Sequence, residues 1–268
     1  MDPLSEGIGR VIRLRIAPVK GLALLDRASV DIGAEGVAED RRFLLLGTDG
    51  RHRSGLAHGP LVRIVPDYDE ATEHLVLRFP DGAEIAADAR GIGEPSEVPW
   101  PHGSGALRVR HLPDFDEALT EYVGAPIRLV RTLPGHRPSS AHVTILSVAS
   151  VEAIERGAGL PETIDDRRFR MLVTIDGVAP FAEDRWVGGE VAVGSAIVRV
   201  DIEAARCATT TRDPATGLRD LDMLRILKDI RGVTARRTID LGIYCDVVRT
   251  GRVAIGDEVR PLGMESAA

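Results

Sequence analysis

The chain has 268 residues, enough for one large domain or two modest ones. At 44% hydrophobic and 28% charged it has a globular balance, and a net charge of −7 disfavours nucleic acid as the main partner. Aromatic residues are too few, at 4%, for a stacking surface, and two cysteines build neither a disulfide framework nor a four-thiolate iron–sulfur cluster.

The opening stretch, MDPLSEGIGRVIRLRIAPVKG, lacks the apolar run of a signal peptide and is not the acid-poor pattern of a transit peptide. Apolar runs elsewhere are strand-sized, so no membrane span is expected and the reading is a soluble cytoplasmic protein. Residues 11–16, VIRLRI, alternate apolar and basic and predict a half-buried strand. RRFLLLGTDGRH reads as a hairpin turning at Asp49-Gly50. LVRIV, HLVLRF and AEIAA continue as strands, with a turn at Asp81-Gly82. ADARGIGEPSEVPWPHGSG reads as a loop. ALRVRHL and IRLVRTL flank a short helix, DFDEALTEYVG, with Asp114 as its expected N-cap and Gly124 as its stop. LPGHRPSS, residues 133–140, marks the expected boundary between two domains, 9–135 and 136–264.

Beyond it, HVTIL predicts a strand and SVASVEAIERGAG a helix ending at Gly157 or Gly159. FRMLVTI, GEVAVG and AIVRVDIEAA read as strands. DLDMLRILKDIRG reads as a helix with Leu221, Leu224 and Leu227 on one face. GIYCDVV and RVAIGDEV close the series as strands about a turn at Thr250-Gly251. Many short strands and few helices predict a mainly β, α+β chain of barrel-like modules.

Cys207 lies in EAARCATTTRDPATG, after Arg206 and before a polar loop. A neighbouring guanidinium favours the thiolate, the form that ligates metal or attacks. A lone cysteine is more often a small inert hydrophobe, and Cys245, inside a strand, fits that description. The seven histidines show no zinc spacing, and there is no nucleophile elbow or Walker loop. Lys20 in PVKG, Arg41 and Arg42 in EDRRF, and Arg167, Arg168 and Arg170 in DDRRFR all stand at strand ends, where side chains can converge on one barrel mouth. Ser147 and Ser150 open a helix, whose N-terminus suits an anion. Together they suggest a phosphate or other anion. The alternative is a solvated basic face balanced by Asp40, Asp165 and Asp166.

An ordered series of motifs resembles the MOSC family, named for the C-terminal domain of molybdenum cofactor sulfurase, preceded by its companion domain. IRLRIAPVKG, GAEGVAEDRRFLLLGTDGR and RSGLAHGPLVRI resemble the companion. HVTILSVASVEAI, RRFRMLVTIDG with FAEDRW, RCATTTRDPATG and GIYCDVVRTGRVAIGDEV resemble MOSC proper. The likeness spans roughly residues 9–263 and is greatest to the amidoxime-reducing branch. It implies a MOSC β-barrel packed against an N-terminal β-barrel-like companion. It implies that Cys207 is the protein thiolate on the metal of the molybdenum cofactor, Mo-molybdopterin, with no pyridoxal phosphate. It further implies that Lys20, Arg41, Ser147, Arg170, Arg206 and Tyr244 line the pterin or its phosphate. Asp213, beside the metal, would orient substrate or relay a proton, or else simply make the turn before Pro214.

The implied activity is a molybdenum oxidoreductase reducing N-hydroxylated small molecules, amidoximes or hydroxylamines. Electrons would come from a separate ferredoxin or flavoprotein reductase, with no nucleic acid or membrane partner, and the chain is expected to be a monomer. The alternatives are a carrier of molybdenum cofactor or of sulfur on Cys207, and a barrel that has lost its cofactor. Two departures stand out. The family often reads P-V-K-S where Gly21 stands here, which removes a hydroxyl. Its R-P-N run is replaced by Arg170, Met171 and Leu172, a more apolar wall. Some relatives add a ferredoxin domain or a membrane anchor; neither is seen in this sequence.

Overall fold

The computed structural model describes residues 8–100, 105–136, 139, 141–160 and 163–263. The expected boundary at 133–140 and the 87–105 loop therefore lie partly outside the described residues. The chain is mainly β with a few short helices, as expected, and its largest unit is a seven-stranded barrel. The barrel strands are β1 (Gly9–Ile16), β2 (Val143–Ser147), β3 (Val173–Asp176), β4 (Glu190–Val193), β5 (Ala196–Ala205), β6 (Asp240–Arg249) and β7 (Glu258–Leu262). Their order is β3-β2-β6-β5-β4-β7-β1, and β1 returns to β3 to close the ring.

Closure explains the residue pattern. A closed barrel has one inner face, so alternate side chains point into it. Val11, Ile145, Val173, Val198, Val200, Ile243 and Cys245 are fully buried there, and most are β-branched. β1 pairs antiparallel with both neighbours, Leu14 opposite Val173 and Gly9 opposite Val259. A strand from the first half thus completes a barrel otherwise built from residues beyond 142. Segments Ser29–Gly33 and Gly251–Ala254 also pair across the two halves. β2 and β3 run parallel, which requires a crossover, supplied by α2 (Val148–Ala158).

The rest of the first half forms a six-stranded sheet about Phe43–Leu46 and a three-stranded one of Val65–Asp69, His74–Arg78 and Glu84–Asp88. They share a core of Phe43, Tyr68, Leu75, Leu77, Phe115 and Leu119 with α1 (Asp116–Val123).

Several expectations need correction. Gly59–Arg63 is a 3-10 turn, because Pro60 occupies its first positions and lacks the N–H that a strand ladder needs. Ile92–Pro99, expected as loop, is a strand at the edge of the six-stranded sheet, where Pro95 is tolerated. Asp114 does not cap α1; Phe115 holds that place without a side-chain bond, while Gly124 does end the helix in the left-handed region. The strand expected at FRMLVTI begins only at Val173, since Asp166–Phe169 is a 3-10 turn. The buried face of α3 (Met223–Arg231) is Met223 and Leu227, four apart, and Leu221 precedes the helix. Thr250-Gly251 does not fold a hairpin, because Gly251–Ala254 leaves to pair with Ser29–Gly33.

Candidate functional site

β5 ends at Ala205, and Cys207 follows in extended conformation at the start of the 3-10 turn Ala208–Thr211. The threonine run forms that turn. Thr210 N and Thr210 Oγ1 both donate to Cys207 O, at 3.1 and 2.9 Å, and Thr211 Oγ1 donates to Ala208 O at 2.6 Å. The backbone beneath Cys207 is thereby fixed while the side chain faces outward. Cys207 is exposed and unbridged, and its Sγ donates to Thr209 Oγ1 at 3.4 Å. Cys245 is its opposite: it lies in the barrel core, and burial pushes its thiol well up, so it is inert.

Around Cys207 the structure gathers cations from both halves. Arg41 adopts φ 53°, the left-handed region, and so does Arg170. Each such arginine costs on the order of 1 kcal/mol unless its surroundings hold it. They do. Arg41 N donates to Ala17 O at 2.7 Å, and its guanidinium pairs with Asp40 and donates to Arg170 O at 2.8 Å. Asp40 is buried and also accepts from Ala17 N at 2.7 Å. Arg170 Nη2 donates to Leu22 O at 2.8 Å. Arg206 donates to Ala204 O at 3.0 Å, to Phe169 O at 2.9 Å and to Met171 Sδ at 3.3 Å, with its guanidinium 5.9 Å from the Phe169 ring centre.

These cations repel one another. Burial, then the charges of Arg41 and Arg170, lowers Lys20 to about 7, against the pull of Cys207 and Asp40. Burial and then Arg41 lower Arg170 to about 10. Burial lowers Arg206 as well, opposed by Tyr244 and Cys207. A bound anion would relieve this repulsion. Lys20, Arg41, Arg170, Arg206 and Cys207 are therefore brought together as the sequence suggested. Half-buried Tyr244 joins them beside Arg206, its hydroxyl donating to Ala205 O at 3.5 Å.

Other candidates fall elsewhere. Ser147 is fully buried; its Oγ accepts from Ser150 N at 3.1 Å as the N-cap of α2. The acidic group at that helix start is the protein's own Glu183, whose Oε1 accepts from Ser147 N at 3.2 Å and Ser150 Oγ at 2.7 Å. Burial raises the Glu183 carboxyl. Arg167 is tied to Asp165 and Arg168 to Asp220, so of the DDRRFR cluster only Arg170 faces the site. Asp213 Oδ1 accepts from Ala215 N, Thr216 N and Thr216 Oγ1 at 2.8, 2.6 and 3.0 Å, an Asx turn before Gly217. Burial pushes Asp213 up, but the Thr216 and Ala215 bonds outweigh it and hold the carboxyl below its usual range.

Sequence reasoning missed what seats the loop. Arg212 Nη1 donates to Gly217 O and Nη2 to Leu56 O, both at 2.7 Å, clasping the Cys207 loop to the first half. Gly59 and Gly217 meet there backbone to backbone. Only their glycine identity could have signalled this. Gly21 is also more than a lost hydroxyl: it sits at φ +97°, and a Cβ would lie 3.2 Å from Ser54 Cα. Met171 is buried as a support for Arg206 rather than forming an open wall.

Residues 132–260 match the MOSC domain and residues 8–106 match the MOSC N-terminal beta barrel domain. Mitochondrial amidoxime-reducing component 1 of Mus musculus is 31% identical over 96% of this chain and 84% of its own length. The chain belongs to the MOSC family. The human amidoxime-reducing component 1 is 25% identical over 97% of this MOSC chain and 85% of its own. Molybdenum cofactor sulfurase of Bos taurus is 22% identical over 96% of the chain, which spans 33% of that longer protein. No helix among the described residues of this MOSC protein is long and apolar enough to cross a membrane.

Among the described residues no group of three or more His, Cys, Asp or Glu side chains could hold a metal ion. A metal at Cys207 would need its remaining ligands from a non-protein group. An exposed thiol ringed by cations suits an anionic group that carries such ligands, and the residues present fit molybdenum cofactor in that respect.

Proposed function

We propose that this chain binds molybdenum cofactor at Cys207 and reduces N-hydroxylated small molecules, with electrons from a separate donor protein. The observation that carries this reading is the exposed Cys207 thiol within electrostatic reach of Lys20, Arg170 and Arg206, with Arg41 bonded to Arg170, so that cations from both halves of the chain gather near it. When bound, the cofactor supplies redox chemistry at a metal. Cys207 is the protein thiolate for that metal. Lys20, Arg41, Arg170 and Arg206 hold the anionic part of the cofactor, the arginines through planar forks suited to phosphate. Tyr244 lines the cradle through its contact with the end of β5. Asp40 orients Arg41 through their ion pair.

Cleaving an N–O bond to an amine and water consumes an electron pair and a pair of protons. Lys20 is the ring member whose proton affinity lies near neutrality, so its Nζ is the proposed site that holds and gives a proton. Asp213, with Oδ1 occupied by its turn, is proposed to shape the loop rather than to relay protons. Ser147, buried in its cap, is left out of the cradle.

The test is to purify wild type and Cys207→Ala from a host that makes the cofactor. Molybdenum and released oxidised pterin per chain are then measured, followed by amidoxime reduction with an artificial donor. Molybdenum near one per chain in wild type, with an altered metal spectrum or metal loss in the variant, supports the reading. Equal loading of both proteins with an unchanged metal spectrum, or no reduction by the loaded wild type, removes it. A second reading, transfer of sulfur on Cys207, is favoured by the free exposed thiol alone. Native mass spectrometry tests it: a one-sulfur adduct on Cys207 without bound metal would support a carrier.

A further inference from the structure

Resting on the reductase reading, we propose that residues 218–237 form the docking surface for an acidic electron-carrier protein. The chain carries net charge −7, yet this stretch, LRDLDMLRILKDIRGVTARR, holds six basic residues against three acidic ones. Its position is fixed at both ends by the Cys207 loop. Arg219 bridges to Arg212, α3 packs on the turn Ala208–Thr211, and Arg206 N donates to Ile239 O at 2.8 Å. The segment thus leaves the loop that carries Cys207 and returns to its neighbour.

Its charges divide into two groups. All three acids have internal duties: Asp220 pairs with Arg168, Asp222 Oδ1 caps α3 by accepting from Arg225 N at 3.3 Å, and Asp229 lies 3.7 Å from Arg225. Arg231 pairs with Asp184 at 2.6 Å, and Arg236 with Glu203 and Asp240 at 3.0 and 2.8 Å. Arg219, Lys228 and Arg237 are exposed and have no acidic partner among the described residues. Arg237 is even presented from a left-handed backbone, φ 62°, in a turn closed by Thr234 and Thr238 at 2.8 Å between hydroxyls. Leu218, next to Arg219 in the chain, and Val233, four residues before Arg237, are 68% and 52% exposed. Unpaired cations and exposed apolar side chains within one segment match the make-up of a protein interface, with the charges steering encounter. A bilayer fits less well, because Met223 and Leu227 of α3 are already packed in the core.

The experiment uses the cofactor-loaded full chain and an acidic [2Fe–2S] ferredoxin as probe. Arg219→Glu/Lys228→Glu/Arg237→Glu is compared with wild type and with Arg128→Glu, an exposed cation of the first half. Turnover is driven either by the ferredoxin or by a small viologen, and ferredoxin affinity is titrated separately at low and high salt. The expected result is a loss of at least about tenfold in ferredoxin-driven kcat/KM for the triple variant, with viologen-driven turnover unchanged. Wild-type affinity should weaken with salt. An undiminished triple variant, an equal loss in Arg128→Glu, or binding to anionic vesicles in place of ferredoxin overturns the proposal. If viologen drives no turnover in wild type, the reductase reading fails and the titration alone decides the surface. Salt-dependent ferredoxin binding lost in the triple variant then upholds it, and binding unchanged or absent overturns it.

Discussion

Replacing Gly59 with alanine tests whether the Cys207 loop is seated by contact with the first half. Gly59 has an ordinary φ, so the substitution adds no backbone strain. Its new Cβ would overlap Gly217 O and lie 2.5 Å from Arg212 Nη1. Neither backbone can yield without separating the loops. Overpacking of this kind costs about 1–3 kcal/mol. Separation also weakens the two 2.7 Å bonds of Arg212, each a charged-donor bond contributing roughly 1.5–3 kcal/mol. The lower unfolded-state entropy of alanine offsets about 0.5–1 kcal/mol. A net loss of about 3 kcal/mol is expected, or roughly 5–10 °C in Tm. The control is Gly33→Ala, also without a positive φ, whose Cβ meets nothing nearer than Gly36 O at 3.4 Å. Thermal melts give the stability, and the alkylation rate of Cys207 reports the loop. A Gly59→Ala protein as stable as Gly33→Ala, with unchanged Cys207 reactivity, would refute the clasp.

Further outcomes follow from the same geometry. Burial raises the Glu183 carboxyl above its unfolded value, so its ionisation destabilises the fold as pH rises from the usual carboxylate range through the folded value. Glu183→Gln keeps the Oε1 acceptor and should gain stability over wild type on that rise, the two converging in acid; denaturant midpoints against pH check this. Lys20 is lowered from 10.5 to about 7, so its cost to folding is complete below 7 and vanishes as pH rises to 10.5. Lys20→Met should therefore be the more stable protein at neutral pH yet the weaker phosphate binder, readable by melts with and without phosphate. At the left-handed Arg41, Arg41→Gly should exceed Arg41→Ala in stability by about 1 kcal/mol, the reverse of the usual helix ranking, measured by chemical denaturation. A thiol reagent should label native protein at Cys207 alone, with Cys245 reacting only after unfolding, as peptide mapping would show.

What the sequence made legible was whatever local pattern dictates. The Asp49-Gly50 hairpin, the helix opening at Ser147 and the Gly124 stop depend on neighbours a few residues away and are found as read, and of the two stops read for α2 it is Gly159 that ends the helix. The apolar run at Leu61 fits strand and turn equally until Pro60 is weighed. Ile92–Pro99 lacks an apolar alternation because an exposed edge strand buries little. The cluster about Cys207 was reachable because its cations stand at strand ends. Its supports were not. Glu183 occupies the α2 terminus from more than thirty residues away, and Arg212 finds Leu56 across the two halves, contacts that no periodicity encodes.

The place of β1 in the ring bears on how the protein is made. The strand leaves the ribosome well before its partners β3 and β7, which lie near residues 175 and 259. Contacts this distant along the chain make folding slow. During that wait β3 and β7 keep bare hydrogen-bonding edges, templates for mispairing between nascent chains. A recombinant fragment cut at residue 132 would never lose those edges. Supplying residues 9–16 in trans, as a peptide, is then the natural remedy for its solubility.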